Sequence, residues 1–169
     1  LAKRLEHREL DLTFSCAPEH IERFEHQPAF FDHILLAVPR ETPLSEELSR
    51  SALPAEDIQA GRHLSDSCVR VPLKEFRELE FILLQKGNNL YDRSIHMFQE
   101  AGFTPKVKMA LSQLVTAYRF ADNGLGAAFI NDRIVFSVPS NRLLFFAIAS
   151  LQVNRLFYAL LPQRNYTAH

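Results

Sequence analysis

The stretch from residue 81 to residue 130 constrains the fold more than any other part of the sequence. It reads in the order strand, helix, strand, helix, strand, with apolar runs of strand length at 81–85, 106–111 and 127–130. The first run begins Phe-Ile-Leu-Leu and has no polar alternation, which is typical of a strand covered on both faces. The pattern therefore predicts parallel strands joined by right-handed helical crossovers, an α/β unit.

Helix boundaries within this stretch are marked by capping residues. Asn89 is predicted to cap a helix over 90–101, and Gly102 fits the left-handed position that ends it. Ser112 is predicted to cap the next helix, which Gly124 closes. The buried stripe expected on this second helix consists of Leu114, Val115, Tyr118 and Ala121.

Four more apolar runs lie outside this stretch, at 11–16, 33–38, 143–149 and 155–161. The last two are predicted to pair with the first two, because the strands of 81–130 already have partners. The chain would then start in one lobe, cross to a second and return, which makes a hinge beside a cleft. Between 40 and 76 we expect short helices on a polar connection.

Composition narrows the class of protein. The 169 residues carry a formal net charge of −1, so the surface has no general attraction for nucleic-acid phosphates. Cys16 and Cys68 form no metal or disulfide motif, and reduced thiols of a cytoplasmic protein are expected. No apolar run approaches the roughly 20 residues of a membrane span. The charged start at 1–6 suggests the end of a helix in a fragment, and not a signal peptide.

Neither catalysis nor metal binding is predicted. The seven histidines show no HExxH or i, i+4 spacing and are expected to be scattered over the surface: His7, His20, His26, His33, His63, His96 and His169. Asp11 and Asp132 lack a second carboxylate at a catalytic spacing. There is no G-x-S-x-G elbow and no phosphate loop. We therefore expect no enzyme, no metal and no cofactor.

Six motifs in chain order resemble those of the effector-binding domain of LysR-type transcriptional regulators. They are ELDLTF at 9–14, ILLAVP at 34–39 with TPL at 42–44, VPLKEF through EFILL at 71–84, AGFTPKV at 101–107, QLVTAY through GLGAAFI at 113–130, and RLFYAL with RNY at 155–166. Each motif is short, but together they span nearly the whole chain in the family's order. Asn131-Asp132 after the strand resembles the Firmicutes branch.

The resemblance implies a specific architecture. It is an α/β, two-lobed, type 2 periplasmic-binding-protein-like fold with a double crossover at the hinge. The first lobe would comprise residues 1–36 and 142–169, and the second residues 37–141. The winged helix-turn-helix that binds DNA, and the first strand, helix and second strand of the first lobe, would lie outside this N-terminally truncated chain.

In such a cleft, ligand contacts come from strand ends and helix N-termini, where backbone amides are free. The predicted effector contacts are Ser15 and Cys16 from the first lobe and Gln85, Asn88, Asn89, Ser112 and Gln113 from the second. A simple capping role for Asn89 or Ser112 is compatible with ligand contact. A buried core thiol is an alternative for Cys16.

The predicted function is effector sensing and oligomerisation in a LysR-type DNA-binding regulator. Its partners would be a small polar or anionic metabolite, a second copy in a dimer (with a tetramer possible for the full protein), and DNA through the missing domain, with no membrane. Met97 is expected either at the dimer interface or partly exposed. The alternatives are a solute-binding protein of a transporter, which would need a signal or lipoprotein segment, and an enzyme on the same fold.

Overall fold

The computed structural model describes residues 2–162. Its eight strands are β1 Thr13–Ser15, β2 Glu25–Pro39, β3 Arg70–Val71, β4 Glu80–Leu84, β5 Lys106–Leu111, β6 Ala127–Asn131, β7 Leu143–Ile148 and β8 Asn154–Leu161. Its seven α-helices are α1 Ala2–Glu6, α2 Pro18–Ile21, α3 Glu46–Arg50, α4 Ala55–Gln59, α5 Asn89–Ala101, α6 Leu114–Asp122 and α7 Asp132–Ser137. Short 3-10 turns lie at Arg62–Leu64, Leu73–Phe76 and Leu151–Val153.

The chain divides into two compact units. The first contains the chain up to Asp32 and from Arg155 onward, and the second is His33–Asn154. β2 runs from the first unit into the second. The lobe boundaries expected from the sequence, 1–36 with 142–169 and 37–141, stay a prediction.

In the first unit, β8 lies between β1 and β2 and pairs antiparallel with β1, Thr13 opposite Leu160. A small core of Leu5, Phe24 and Leu160 forms beside these strands. Leu5 comes from α1, so helical structure at the start of the chain is confirmed and the Leu5 side chain is buried. Polar contacts between the strands add to this core.

The strongest of those contacts is a buried ion pair between Arg155 at the start of β8 and Asp32 in β2. Arg155 Nε donates to Asp32 Oδ1 at 2.6 Å, and the second guanidinium nitrogen donates to Oδ2 at 2.5 Å. Both residues are less than a tenth exposed. A two-point pair of this kind fixes direction as well as distance, so it aligns β8 against β2.

The second unit is built on a mixed sheet in the order β3-β7-β2-β6-β4-β5. β4 is parallel to both β5 and β6, and β2 is antiparallel to β6 and β7. The strand, helix, strand, helix, strand order expected for 81–130 is confirmed as β4, α5, β5, α6 and β6. The predicted return of the last two strands to the first two is confirmed as well, since β7 pairs with β2 and β8 with β1 and β2.

A large apolar core fills this unit, and aromatic rings occupy its centre. Phe98 of α5 meets Phe81 edge to face at 4.9 Å between ring centroids and Phe129 at 5.6 Å. Met97 is only 1% exposed. The expectation that Met97 lies at an interface or partly exposed is therefore wrong, because α5 turns this side chain into the core.

The stripe on α6 is narrower than predicted. Tyr118 and Ala121 are buried together with Ala117, and Leu114 packs against the core, but Val115 is 55% exposed. The prediction for Val115 is wrong because the stripe follows the helical period and Val115 falls beside it.

Close packing of the turn before β6 requires glycine at position 126. A Cβ atom there would lie 2.9 Å from the carbonyl oxygen of Glu80, and the φ angle is +156°. The Gly-Leu-Gly sequence that resembles the family motif thus has a steric reason, since it lets β6 approach β4.

β2 is much longer than the predicted strand at 33–38. Its first half, through Phe31, is mostly exposed and contains Pro28, so it carries no apolar run that would mark a strand. Its second half, from Ile34, is buried and matches the prediction. The exposed half forms a strand because β8 pairs with β2, a contact that no local pattern encodes.

We expect Arg155→Met to lower the free energy of unfolding by about 3–5 kcal/mol, because it leaves the Asp32 carboxylate buried without its partner. Asp57→Asn is the matched control, since the Arg62–Asp57 pair lies at the surface, and we expect that change to cost less than about 1 kcal/mol. Urea unfolding at pH 7 measures both. Equal losses for the two variants would contradict the role given to the buried pair.

Candidate functional site

Two parallel strands of the second unit end side by side, and polar residues follow each of them. β4 ends at Leu84 and β5 at Leu111, which pair directly. The backbone N–H of Gln85 then donates to the Leu111 carbonyl at 2.9 Å. Gln85 and Ser112 are consequently neighbours at the carboxyl edge of the sheet, and both are exposed.

The start of α5 lies at the same edge, and its cap is Asn88. The Asn88 side chain accepts a hydrogen bond from Leu90 N–H at 2.9 Å, and its own N–H donates to the Gln85 carbonyl at 3.3 Å. The prediction that Asn89 caps the helix is therefore wrong by one residue. Asn89 is the first helical residue, and its side-chain oxygen accepts from Arg93 Nε at 3.1 Å.

The start of α6 is the third part of this edge. Its N-cap is Gln113, whose side chain makes no capping hydrogen bond. The predicted cap at Ser112 is wrong, because the preceding residue still belongs to β5 and the chain needs Ser112 and Gln113 to turn into the helix. A nine-residue helix without a side-chain cap presents first-turn N–H groups that suit an anion or a polar ligand.

Arg93 adds a positive charge one turn into α5, which the sequence interpretation missed. Its Nη1 donates to the carbonyls of Gln152, at 2.6 Å, and Asn154, at 3.1 Å. These contacts hold the segment that leads into β8 against α5. Arg93 thus links Asn89 to the segment that leads into β8.

The two residues proposed from the first unit lie at the end of β1. Ser15 is buried, and its hydroxyl accepts from Ala17 N–H at 3.1 Å and lies 2.9 Å from His20 Nδ1. Cys16 is half-buried and forms no disulfide with Cys68. The Ser15 hydroxyl is therefore committed to a local turn, and ligand contact by either residue stays a prediction.

The structure thus brings five of the seven predicted contacts to one edge of the second unit, and they are Gln85, Asn88, Asn89, Ser112 and Gln113. All five side chains are neutral. Together with two helix N-termini they offer directed hydrogen bonds and positive dipole ends, which favour a small polar or anionic molecule over a cation.

A second polar cluster joins His33 of β2, His63 of the 62–64 turn and Asp132 of α7. Asp132 Oδ2 lies 3.0 Å from His33 Nδ1 and 3.0 Å from His63 Nε2, and Oδ1 accepts from His33 N–H at 3.1 Å. His63 is 2% exposed. Burial by itself raises the pKa of the Asp132 carboxyl, but the hydrogen bonds from His63 and His33 outweigh it and hold that pKa below its usual value.

This cluster corrects one sequence-based expectation. His63 is not a surface histidine, because it is buried against Asp132. The sequence holds no signal for the cluster, because its members are separated by 69 and 99 positions from Asp132. Only the register of β2 against β6, with Ile34 opposite Asn131, brings His33 beside α7.

The second unit also contains a cavity of about 410 Å³ at the end of β2. Its charged lining residues are Arg40, Glu41, Asp122 and Arg142. Because both signs of charge line the cavity, it does not select for an anion or a cation. Within residues 2–162, no helix combines the length and apolar character that crossing a membrane requires.

Comparison with known proteins agrees with the motifs. The family described as LysR substrate binding domain matches residues 58–168, well over half of the chain. The chain belongs to this family. The LysR family's glycine turn and the carboxyl edge of β4 and β5 both lie within the matched residues.

A curated relative comes from Bacillus subtilis (strain 168). The chain is 28% identical over 151 residues to YcgK, described as an uncharacterized HTH-type transcriptional regulator. The alignment covers 81% of this chain and 45% of YcgK. The chain therefore spans about half the length of this relative.

Solved structures show the same fold. The CcmR regulatory domain of Synechocystis PCC6803, in complex with 2-PG, has a TM-score of 0.72 at 15% identity, covering 98% of this chain and 70% of that one. The effector-binding domain of QuiR in complex with shikimate has a TM-score of 0.71 at 13% identity, covering 98% and 68%. The chain thus has the periplasmic-binding-protein-like α/β fold of LysR effector domains.

We expect Asn88→Ala to lower the free energy of unfolding by about 1 kcal/mol, because it removes the α5 cap. Asn89→Ala is the matched control, because it removes the hydrogen bond from Arg93 but leaves the cap, and the better helix propensity of alanine offsets part of that loss, so we expect about half the effect or less. Thermal or urea unfolding distinguishes them. A larger loss of unfolding free energy in the Asn89 variant than in the Asn88 variant would contradict the assignment of Asn88 as the cap.

Proposed function

We propose that this chain is the effector-sensing domain of a LysR-type DNA-binding transcriptional regulator. The observation that carries the proposal is the edge formed by the ends of β4 and β5 with the starts of α5 and α6, in a chain that belongs to the LysR substrate-binding family. Such an edge is where ligands bind in α/β folds of this kind.

The proposed contacts on this edge are Gln85, Asn88, Asn89, Ser112 and Gln113. Gln85, Ser112 and Gln113 are exposed, so their side chains can exchange water for ligand. Asn88 and Asn89 already hold the α5 start in place and would act mainly by orienting it. We propose Ser15 and Cys16 as further contacts from the first lobe.

The proposed effector is a small polar or anionic metabolite bound between two lobes, 1–36 with 142–169 and 37–141. Neutral amides and helix N-termini favour a carboxylate-sized anion. Two structural neighbours support this choice, since the CcmR regulatory domain is in complex with 2-PG and the QuiR effector-binding domain with shikimate.

Effector binding would shift the regulator between two arrangements by its difference in affinity for them. In the whole protein we propose a homodimer or a tetramer, DNA contact through a winged helix-turn-helix domain, and a cytoplasmic location. The net charge of −1 supports a DNA contact made elsewhere than on this chain. The role is binding, without catalysis.

The family match favours a regulator over a solute-binding protein of a transporter. The coding sequence upstream of Leu1 tests this choice directly. A helix-turn-helix there is expected, and a signal peptide in its place would rule out the regulator.

Thermal-shift screening of small carboxylates, with shikimate among them, tests effector binding on the protein that contains this chain. A true effector at a hundred times its Kd raises the free energy of unfolding by about 2.7 kcal/mol. Without ligand, we expect the double variant Gln85→Ala with Ser112→Ala to have the melting temperature of the wild type. With ligand, it should lose most of the ligand-induced rise in melting temperature.

Gln99→Ala is the matched control, because Gln99 is an exposed glutamine near the far end of α5. It should keep the full ligand-induced shift. Undiminished binding by the double variant would place the effector elsewhere. A screen in which no compound raises the melting temperature would contradict a ligand-operated switch.

A further inference from the structure

The cluster of His33, His63 and Asp132 has the donor set of a metal site. Each residue offers one ligand atom, and the three atoms lie within 4.8 Å of one another. Two imidazole nitrogens and one carboxylate oxygen are ligands that Zn²⁺ and neighbouring first-row ions accept, whereas Ca²⁺ and Mg²⁺ prefer oxygen alone.

Two of the three spacings between these atoms match such an ion, and the third, between the two imidazole nitrogens, is at most 4.8 Å. Two ligand atoms that bind one Zn²⁺ at about 2.0–2.2 Å each are about 3–3.6 Å apart for bond angles of roughly 90–110°. Asp132 Oδ2 is 3.0 Å from the facing nitrogen of His33 and of His63. The rings meet edge to face with centroids 5.9 Å apart, so both aim at the same carboxylate.

The carboxylate is held in place before any ion binds. Asp132 Oδ1 accepts the backbone N–H of His33 at 3.1 Å, which leaves Oδ2 for the two imidazoles. The side chain of Asn131 accepts from Ile134 N–H at 3.1 Å and fixes the start of α7. Contacts of this outer kind orient ligands and sustain metal affinity.

We propose that His33, His63 and Asp132 form a binding site for a first-row divalent cation such as Zn²⁺. The ion ties β2, the 62–64 turn and α7 together. The side chain of His33 is 25% exposed, so water can reach the ion and complete its coordination. Three protein ligands with a water in the fourth position is a coordination that Zn²⁺ adopts in proteins.

Proton placement sets the strength of this site. Without the ion, an ionised carboxylate only accepts hydrogen bonds, so each ring donates its facing N–H to Asp132. When the ion binds, the proton on each facing nitrogen moves to the other nitrogen of its ring, and bonds to the metal replace the two hydrogen bonds to Asp132. For the partly exposed His33 the moved proton can bond to water.

For His63 the moved proton finds no hydrogen-bond acceptor among the described residues. Its Nδ1 is buried and has no hydrogen-bond partner among the described residues. A ligating histidine without an outer partner costs about 10–100-fold in metal affinity. The site therefore binds the ion reversibly and more weakly than a structural zinc site does.

Isothermal titration calorimetry, in which Zn²⁺ is added to the metal-free protein, tests the site. We expect one equivalent per chain, binding weakened by about a hundredfold in His33→Gln, and a Zn²⁺-induced rise in melting temperature that Mg²⁺ does not reproduce. His96→Gln is the matched control, since His96 is an exposed histidine on α5, and it should bind like the wild type.

Equal weakening in the His96 and His33 variants, or full-strength binding by His33→Gln, would overturn the proposal by placing Zn²⁺ on other groups. Because His33→Gln could lower stability, Co²⁺ bound to the wild type gives an independent reading. We expect d–d absorption without a thiolate charge-transfer band, and a thiolate band would overturn the proposal by placing the metal on Cys16 or Cys68.

Discussion

Both units depend on the hydrogen bonding of one strand, β2. Its fifteen residues contribute to the sheet of each unit, pairing with β6 and β7 in the second and neighbouring β8 in the first. The buried half from Ile34 crosses the core of the second unit, whereas the first half is mostly exposed. Because β2 is continuous through residues 32 and 33, the buried pair Arg155–Asp32 and the Asp132 cluster act on adjacent positions of the same strand.

The buried negative charges of Asp32 and Asp132 are compensated in different ways. Asp32 is compensated by a permanently charged guanidinium in a two-point contact. Asp132 is compensated by three hydrogen bonds, two of them from imidazoles, which can also bind metals. The first arrangement suits a fixed structural contact. The second leaves two imidazole nitrogens and a carboxylate oxygen beside β2 that can bind a metal ion.

The proposed effector edge could be predicted from sequence to within a residue or two. Apolar runs located β4 and β5, and parallel pairing required the residues after both strands to meet. The caps were less certain, because Asn88 and Asn89 are chemically identical candidates and the choice depends on the turn that joins Gln85 to α5. The cap at Ser112 failed for a similar reason, since local preference could not tell how far β5 extends.

The sequence by itself determined the α/β class, the order of elements from 81 to 130, the return of the last strands to the first, and the family. Each of these follows from local periodicity or from short motifs that a chain carries wherever it folds. Tertiary structure decided the length of β2, the burial of Met97 and His63, the Arg155–Asp32 pair and the union of His33 with Asp132. These features arise from contacts between residues far apart in the chain. Strand register decides which residues become neighbours, and no local sequence pattern encodes that register.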